Sequence, residues 1–291
     1  MQWALEVDHV AAAWCYPIAQ GLGTVDVVIL ANEDTTGNEI PSSSARIGAV
    51  TSVSSYELVD SGATFTTGHA VAAGDVVENP LRETSTTVVS VDDADTLTLA
   101  DDIFPFAGDP YIVHCQCGTS TSVSSGKLVD SAGAFTDATY TVHAGDAVEN
   151  LASRATTTVV SVDDANTLTL AADIFTAADT PYAVRGLVAR VKSHIDPLRP
   201  VTASKVRVIA PTTTTQAVTM TVTGSGVDPS AIAAEIEAEM NRLIPDQTLY
   251  VAKLIQIAMD SGAENAAVTV PATDVTPSTY QMIRPGVIDV T

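Results

Sequence analysis

Apolar and polar residues alternate along much of the chain, a pattern that predicts short β-strands. Residues 87–91 (Thr-Val-Val-Ser-Val) and 96–99 (Thr-Leu-Thr-Leu) flank Asp92–Asp95, whose residue types favour a tight turn. The same arrangement returns later, as strand Val159–Val162, turn Asp163–Asn166 and strand Leu168–Leu170. Each stretch therefore predicts a β-hairpin.

The two hairpins belong to a longer internal repeat. Residues 51–65 recur at 121–135, and residues 74–113 recur at 145–184 with 26 of 40 positions identical. A repeat of this length predicts two small all-β modules, each a barrel or a two-sheet sandwich. We expect their cores to contain the same apolar residues, namely Leu58, Val59, Phe65, Ile103, Phe104 and Tyr111 and their copies Leu128, Val129, Phe135, Ile174, Phe175 and Tyr182.

The segments around the repeats have a different pattern. Gly23–Leu30 predicts a strand with a buried end, Leu187–His194 a short helix, and Lys205–Ala210 a further strand. Without the repeats these segments form a β–α–β unit. The repeats therefore look inserted into a strand-to-helix loop, where closure entropy costs little.

The last part of the chain predicts a second unit of helices and strands. Asp228 is a suitable N-cap before Pro229, and the helix that follows has one apolar face, formed by Ile232, Ile236, Met240 and Leu243. We expect the other elements to be a strand over 216–223, a helix over 251–261, and strands over 266–270 and 286–290.

These patterns define the fold class and the domain limits that we expect. The class is α+β, with two small α+β lobes as the host core and two tandem all-β modules, each a small barrel or sandwich, inserted in a strand-to-helix loop. The expected domains are a discontinuous core (1–48 and 187–210), module 1 (49–117), module 2 (118–186) and a C-terminal α+β domain (211–291).

Charge and cysteine content exclude several function classes. The chain has 291 residues and a formal net charge of -22, which disfavours binding to nucleic acid or to anionic membranes. No apolar run reaches the length of a membrane span, so we expect no membrane insertion. Three cysteines are too few for a disulfide framework.

The charge is unevenly distributed. Residues 51–186 hold 19 acidic and 4 basic residues, whereas the other 155 residues hold 16 acidic and 9 basic residues. A short basic stretch follows the repeats, and it is either an ordinary solvated face or a subunit interface where charge complementarity sets the register. Its members, the candidate interface residues, are Arg185, Arg190, Lys192, Arg199, Lys205 and Arg207.

No motif points to catalysis, so we expect no enzymatic activity and no cofactor. His114-Cys115-Gln116-Cys117 has metal-ligand residue types, but a zinc site needs four ligands, and the nearest histidines, His69 and His143, lie far along the chain. Asp92–Asp95 could suggest calcium, yet it lacks the glycine and the distal glutamate of the known loop. A solvated hairpin turn is the simpler interpretation.

Several segments outside the repeats carry a family resemblance. The most specific is Ile195–Ala203 (IDPLRPVTA), and the others are Glu6–Val10, Gly21–Val27, Val191–His194, Val208–Pro211 and the helix pair Ile232–Ile244 and Leu249–Met259. On these residues the chain resembles the baseplate J-like proteins, wedge components of the tail baseplate of contractile-tailed bacteriophages. Members of that family usually carry an N-terminal region before the segment that matches Glu6, and we expect that region to be absent or supplied by another chain.

The resemblance implies a structural wedge subunit that takes part in baseplate assembly and contraction signalling. The expected partners are further copies in a ring around the tail hub, assembled directly or through dimers, other wedge or hub proteins, and tail fibres. The expected location is the virion tail, after assembly in the host cytoplasm. Two alternatives stay open, a module that binds host-surface glycan through the β repeats, and an envelope-degrading hydrolase, which no motif supports.

Overall fold

The computed structural model describes residues 1–19, 21–42, 45–66, 71, 73, 75–79, 81–82, 84–114, 116–136, 141–199, 203 and 205–291, without the side chains of Ala45, Asp196 and Lys205. The chain divides into two units, Met1–Ala210 and Pro211–Thr291, and each is described by itself.

The first unit begins with a short 3-10 helix, Gln2–Glu6, followed by strands β1 (Val10–Pro17) and β2 (Thr24–Ala31). These strands are antiparallel, and the last six residues of β2 are buried. A one-turn helix, α1 (Glu33–Thr36), comes next, and the side chain of Asn32 caps its first turn. Asn is a preferred N-cap residue because its side-chain oxygen accepts a free backbone N–H.

Module 1 consists of strands alone in the part of it that the structure describes. They are β3 (Ala45–Ala49), β4 (Ser52–Ser54), β5 (Glu57–Val59), β6 (Val76–Asn79), β7 (Thr84–Val91), β8 (Thr96–Leu99) and β9 (Pro110–His114). They form one sheet in the order β3-β9-β6-β7-β8-β5-β4. Because the two edge strands are separated along the chain only by Val50 and Thr51, the sheet curls into a half-barrel.

Module 2 repeats this topology. Its strands are β10 (Cys117–Thr119), β11 (Ser122–Ser124), β12 (Lys127–Val129), β13 (Ala147–Asn150), β14 (Thr156–Asp164), β15 (Thr167–Leu170) and β16 (Pro181–Arg185). The sheet order is β10-β16-β13-β14-β15-β12-β11. The turn predicted at Asp163–Asn166 is wrong in its first half, because a register shift lets Asp164 pair with Thr167 and extends β14.

The predicted module cores are largely confirmed. In module 1, Val59 is half-buried and the other predicted core residues are buried; in module 2, Val129 and Ile174 are half-buried and the others are buried. The aromatic rings keep the same arrangement, since the Phe65–Tyr111 and Phe135–Tyr182 ring centroids are both 6.0 Å apart. Equal geometry in two copies indicates that the repeat conserves packing as well as sequence.

After module 2 the chain returns to the first strands. Helix α2 (Leu187–Ile195), a 3-10 turn (Asp196–Leu198) and strand β17 (Lys205–Ile209) follow in order. Strand β17 pairs in parallel with β2, which gives a three-stranded sheet in the order β1-β2-β17. Apolar side chains of this sheet and of α2 form one core, including Val27, Ile29, Leu187, Val191 and Val208.

The second unit contains β18 (Thr212–Thr223), α3 (Pro229–Asn241), α4 (Val251–Asp260), β19 (Asn265–Val270) and β20 (Gln281–Val290). Asp228 caps α3 by accepting the backbone N–H of Ser230 and Ala231, as predicted. The predicted apolar face of α3 is buried against the sheet β19-β18-β20 and helix α4. Strand β18 begins earlier than predicted because its first residues pair in parallel with β20.

The structure is mostly β, with 42% strand and 16% helix. The expected α+β class is therefore not confirmed as a description of the chain, since the two modules add strands to a smaller set of helices. Helices and strands do pack together in the β1-β2-β17 core and in the second unit. The domain limits within the first unit stay a prediction.

Candidate functional site

Two glutamates occupy the same position in the two modules, within strands that are otherwise largely apolar. Glu78 lies on β6 and Glu149 on β13, each followed by a buried asparagine. The neighbouring strands β9 and β16 end at equivalent positions too, with His114 in module 1 and Arg185 in module 2. A charge in a buried strand requires a partner, so these four residues mark a polar junction.

Arg185 joins the two modules through both glutamates. Its Nη2 contacts Oε1 of Glu78 and Oε2 of Glu149. The imidazole of His114 is fully buried, with Nε2 3.2 Å from Oε2 of Glu78. On the other side, Nη1 of Arg154 lies 3.1 Å from Oε1 of Glu149. The result is a continuous row of ionisable side chains in which each acidic group lies between two basic ones. We call this row the junction cluster: His114, Glu78, Arg185, Glu149 and Arg154.

The electrostatics of the junction cluster favour an ionised Glu78. Burial by itself would raise the pKa of Glu78. Hydrogen bonding and the charges of His114 and Arg185 outweigh burial and hold that pKa below its usual range. Glu78 therefore retains its negative charge at neutral pH, and Arg185 lies between it and Glu149.

An open cavity of about 430 Å³ lies beside the junction cluster. Most of the described residues that line it are polar, and they come from both modules, from helix α2 and from the 3-10 turn after it, namely Glu78, Asn79, Thr84, Ser85, Arg154, Arg185, Ser193 and Pro197. This volume falls within the range of about 300–1,000 Å³ that small-molecule sites occupy. We call it the junction cavity.

A second polar group fixes module 2 to helix α2. Asp146 is 2% exposed, accepts the hydroxyl hydrogen of Ser42 and accepts the backbone N–H of His143 at 2.8 Å. The same Ser42 hydroxyl oxygen accepts the backbone N–H of Leu187 at 3.0 Å and thereby caps the helix. Burial raises the pKa of Asp146 to about 7, although hydrogen bonds from His143 and Ser42 and the charge of Arg190 oppose that rise.

A comparison with protein families adds the decisive observation. Residues 1–62 match the family model of the baseplate J-like central domain. The resemblance to the baseplate J-like family is confirmed. The match starts with the Gln2–Glu6 turn, includes β1 and β2, and continues past the expected core limit at residue 48 into strands β4 and β5 of module 1. No curated protein matches the chain.

The baseplate J-like match supports a structural role in a phage baseplate and a place in the virion tail. Within the described residues, no helix has the length and apolar character needed to cross a lipid bilayer.

The predicted interface residues largely have partners within the chain. Arg185 belongs to the junction cluster, Arg190 donates to the backbone carbonyl of Gly145 at 3.0 Å, and Lys192 is only 3% exposed. The guanidinium of Arg207 makes a two-point contact with Asp26, and Arg199 donates to the carbonyl of Ala203 at 3.4 Å. The side chain of Lys205 lies outside the described residues. Whether these residues also meet a neighbouring subunit stays a prediction.

Sequence reasoning missed the partners because they are distant along the chain. Glu78 and Asp26 lie 107 and 181 residues from the arginines that contact them. One local signal was present, since a glutamate recurs between apolar residues in both Val76–Asn79 and Ala147–Asn150.

The candidate metal ligands have other roles in the described part of the structure. His114 contacts Glu78, the half-buried thiol of Cys117 donates to the carbonyl of His114, and Cys115 and His69 lie outside the described residues. Among described residues, no group of three or more histidine, cysteine or acidic residues could hold a metal ion. Asp92 accepts hydroxyl hydrogens from Ser90 and Thr98, both at 2.7 Å, as expected for a hairpin turn.

Proposed function

We propose that this chain is a wedge subunit of a contractile phage tail baseplate, which assembles as a ring around the tail hub. The family match over residues 1–62 carries the proposal. Its contacts with other copies, with wedge or hub proteins and with tail fibres would serve assembly and contraction signalling. We propose that it works without catalysis of its own.

The topology of the first unit supports this function. The matched strand β2 pairs in parallel with β17, although about 170 residues of chain lie between them. This pairing brings two segments that carry the family resemblance into or next to one sheet, namely Gly21–Val27 and Val208–Pro211. This arrangement is what an insertion of both modules into a baseplate J-like core would require.

The attachment of module 2 to helix α2 supports a mechanical role for the repeats. Asp146 and Ser42 form a buried hydrogen bond, and Arg190 of the helix donates to Gly145. These two hydrogen bonds, one to helix α2 and one to the segment before module 1, hold module 2 more firmly than a flexible linker would. Displayed in this way, the modules would contact a fibre, a neighbouring baseplate protein or the cell envelope.

Electron cryomicroscopy of the native particle, combined with native mass spectrometry of the purified chain, tests the proposal. We expect density for the two curled modules and the β1-β2-β17 sheet in a ring at the tail end, and a closed oligomer or dimer in solution. Absence of this fold from the baseplate density of a particle that contains the chain would contradict it.

Charge reversal tests the predicted interface separately. Arg199→Glu is the better variant, because Arg190 also binds Gly145 of module 2 and its reversal would disturb the subunit itself. We expect Arg199→Glu to weaken assembly more at low salt than at high salt. Unchanged assembly at low salt would remove Arg199 from the interface.

A further inference from the structure

One face of the sheet in the second unit is exposed and nearly uncharged. Strands β18, β19 and β20 pack one set of side chains, including Val218, Met220 and Ile283, against helices α3 and α4. Alternation along each strand turns the other set away from the helices. All of this second set are exposed except the half-buried Thr219. We call it the neutral face, which consists of the odd-numbered positions within 213–223 of β18, 265–269 of β19 and 287–289 of β20.

The composition of the neutral face differs from that of the unit to which it belongs. Residues 211–291 hold 9 acidic and 3 basic residues, but the neutral face has a single charged residue, Asp289, among side chains that are mostly threonine and alanine. The nearby Arg284 directs its guanidinium to the carbonyls of Leu243 and Ile283, both at 3.0 Å. Two copies of a chain with a net charge of -22 repel each other where acidic surfaces meet. Within this unit, that repulsion is smallest at the neutral face.

The pairing of the strands favours a cover on this face. Strands β18 and β20 are parallel along eight residue pairs. Parallel sheets are mostly covered on both faces, whereas antiparallel sheets tolerate water on one face. Helices α3 and α4 cover one side of this sheet, but on the other side Val287 is 77% exposed. Threonine side chains suit a sheet contact because their methyl groups pack and their hydroxyls hydrogen-bond to one another.

We propose that the neutral face is a contact between two copies of this chain, whose sheets pack face to face about a two-fold axis. A second neutral face is the occupant that charge favours, because it brings small side chains and only one further carboxylate. The inference rests on the proposed function, since a ring requires contacts between copies, and it names the surface that makes one of them.

The size of the neutral face sets the expected affinity. Strand β18 has 12 residues and is therefore about 40 Å long, and three strands are about 14 Å wide. The contact thus covers about 500 Å² on each copy and about 1,000 Å² in total, which is the lower limit for a specific interface. We therefore expect a weak dimer, with a Kd of about 0.1 mM.

Sedimentation equilibrium of the full chain tests the proposal, at concentrations from about 5 μM to about 1 mM that bracket this Kd. We expect a monomer–dimer equilibrium that becomes tighter as salt is raised, because salt screens the repulsion between two acidic chains. A chain that stays monomeric at the highest concentration would overturn the proposal. Association that weakens with salt would also overturn it, since that trend belongs to a contact between opposite charges.

Charge variants place the contact on the neutral face. Thr221→Glu should weaken dimerisation at least tenfold, because like charges then meet across the contact. Gln256→Glu adds the same charge at an exposed position of α4 and is the matched control, which should dimerise as the natural chain does. If Thr221→Glu does not fold, as judged by circular dichroism, Ala267→Glu on the paired strand replaces it. Equal dimerisation by the face variant and the control would overturn the proposal.

A mixing experiment tests whether the occupant is a second copy. Thr221→Glu and Thr221→Lys should each dimerise poorly alone, and an equal mixture should dimerise more tightly than either, because opposite charges then meet. No gain on mixing would overturn the two-fold contact. The two proposals fail separately. A dimer of this kind in a chain that is absent from the baseplate density would contradict the proposed function alone, whereas a ring without this contact would contradict the present inference alone.

Discussion

The two modules have the same fold but differ in what surrounds it. Strand order, aromatic packing and the tyrosine-to-aspartate hydrogen bonds, Tyr111 to Asp60 and Tyr182 to Asp130, are common to both. The differences lie at the module edges, where His114 corresponds to Arg185. There the buried side-chain oxygen of Asn79 has no hydrogen-bond partner in the described part of the chain, whereas that of Asn150 accepts two backbone N–H groups. Duplication has therefore preserved the interior and changed the polar groups that meet neighbours.

Module 2 has the closer connection to the rest of the first unit. It supplies Arg185, which contacts module 1, and Asp146, which contacts Ser42 before the modules. Module 1 supplies the acceptor Glu78 and further residues that line the junction cavity. The comparison therefore indicates that module 2 is the more firmly attached of the two.

Removing one core aromatic from each module is the strongest test of the shared interior. Phe65→Ala and Phe135→Ala each delete a buried ring and should cost about 3–5 kcal/mol of local stability. Amide hydrogen exchange resolved by module is the measurement, with exposed Val53→Ala and Val123→Ala as controls. A loss of local stability that is more than twice as large in one module as in the other would show that the two cores are not equivalent.

The shared interior was also the most predictable part of the structure. Repetition, alternation and turn residues located both hairpins and nearly all core residues, because these signals depend on near neighbours along the chain. Arg185 and Asp146 could not be assigned a role in this way. Their partners Glu78 and Ser42 are brought close only when the whole unit folds, and a glutamate in a strand indicates that a partner exists without indicating which one.

The contact between modules is tested by Arg185→Ala. This change leaves Glu78 and Glu149 close together without the cation between them, and should cost about 2–3 kcal/mol, less than a fully buried pair because the guanidinium is 27% exposed. The loss should shrink at acidic pH, where a carboxylate takes up a proton.

Arg82→Ala is the matched control for that experiment. Arg82 is 33% exposed and pairs with Asp109 inside module 1, so its loss should increase hydrogen exchange in module 1 alone. Arg185→Ala should increase exchange at β6 and β13 together. An effect of Arg185→Ala confined to module 2 would argue against a bridging role.

The attachment of module 2 through Asp146 predicts that the stability of the fold depends on pH. The pKa of Asp146 is raised from 3.8 to about 7, so the folded state binds this proton more tightly than the unfolded state. The stability that protonation provides is complete below the unfolded pKa and is lost as pH rises through about 7. When the pH is lowered from 8 to 5, the free energy of unfolding of the natural chain should rise by roughly 2 kcal/mol relative to that of Asp146→Asn. Chemical unfolding at each pH measures it.

The comparison with Asp146→Asn is needed because a neighbouring histidine opposes the gain in stability as pH falls. Burial lowers the pKa of His143, which costs stability as pH falls below its ordinary value. His9 and Arg190 line the same small cavity, and Asp8 influences Arg190. Asp75→Asn, at the equivalent position in module 1, is the control and should keep the pH dependence of the natural chain. Parallel curves for the natural chain and Asp146→Asn would contradict the prediction.

The smallest expected effect concerns the exposed hairpins. Asp163 accepts hydrogen bonds from Ser161, Thr169 and Lys127. Among described residues, the equivalent Asp92 accepts side-chain hydrogen bonds from the hydroxyls of Ser90 and Thr98 only. The hydrogen bond from Lys127 is the main cause that lowers the pKa of Asp163 to about 2. Module 1 has Glu57 in place of Lys127, so Lys127→Glu gives module 2 the residue of module 1 at this position.

Lys127→Glu should raise the pKa of Asp163, as read from the pH titration of its carboxyl carbon by NMR. The stability that this low pKa provides is present above the ordinary pKa of aspartate and is lost as pH falls through about 2. Because the pair is exposed, the cost near neutral pH should be only about 0.5 kcal/mol and should disappear at high salt. Glu57→Lys should produce the reverse shift at Asp92. If both pKa values stay where they are, the hydroxyls alone set them, and the two hairpins are electrostatically equivalent despite their difference in charge.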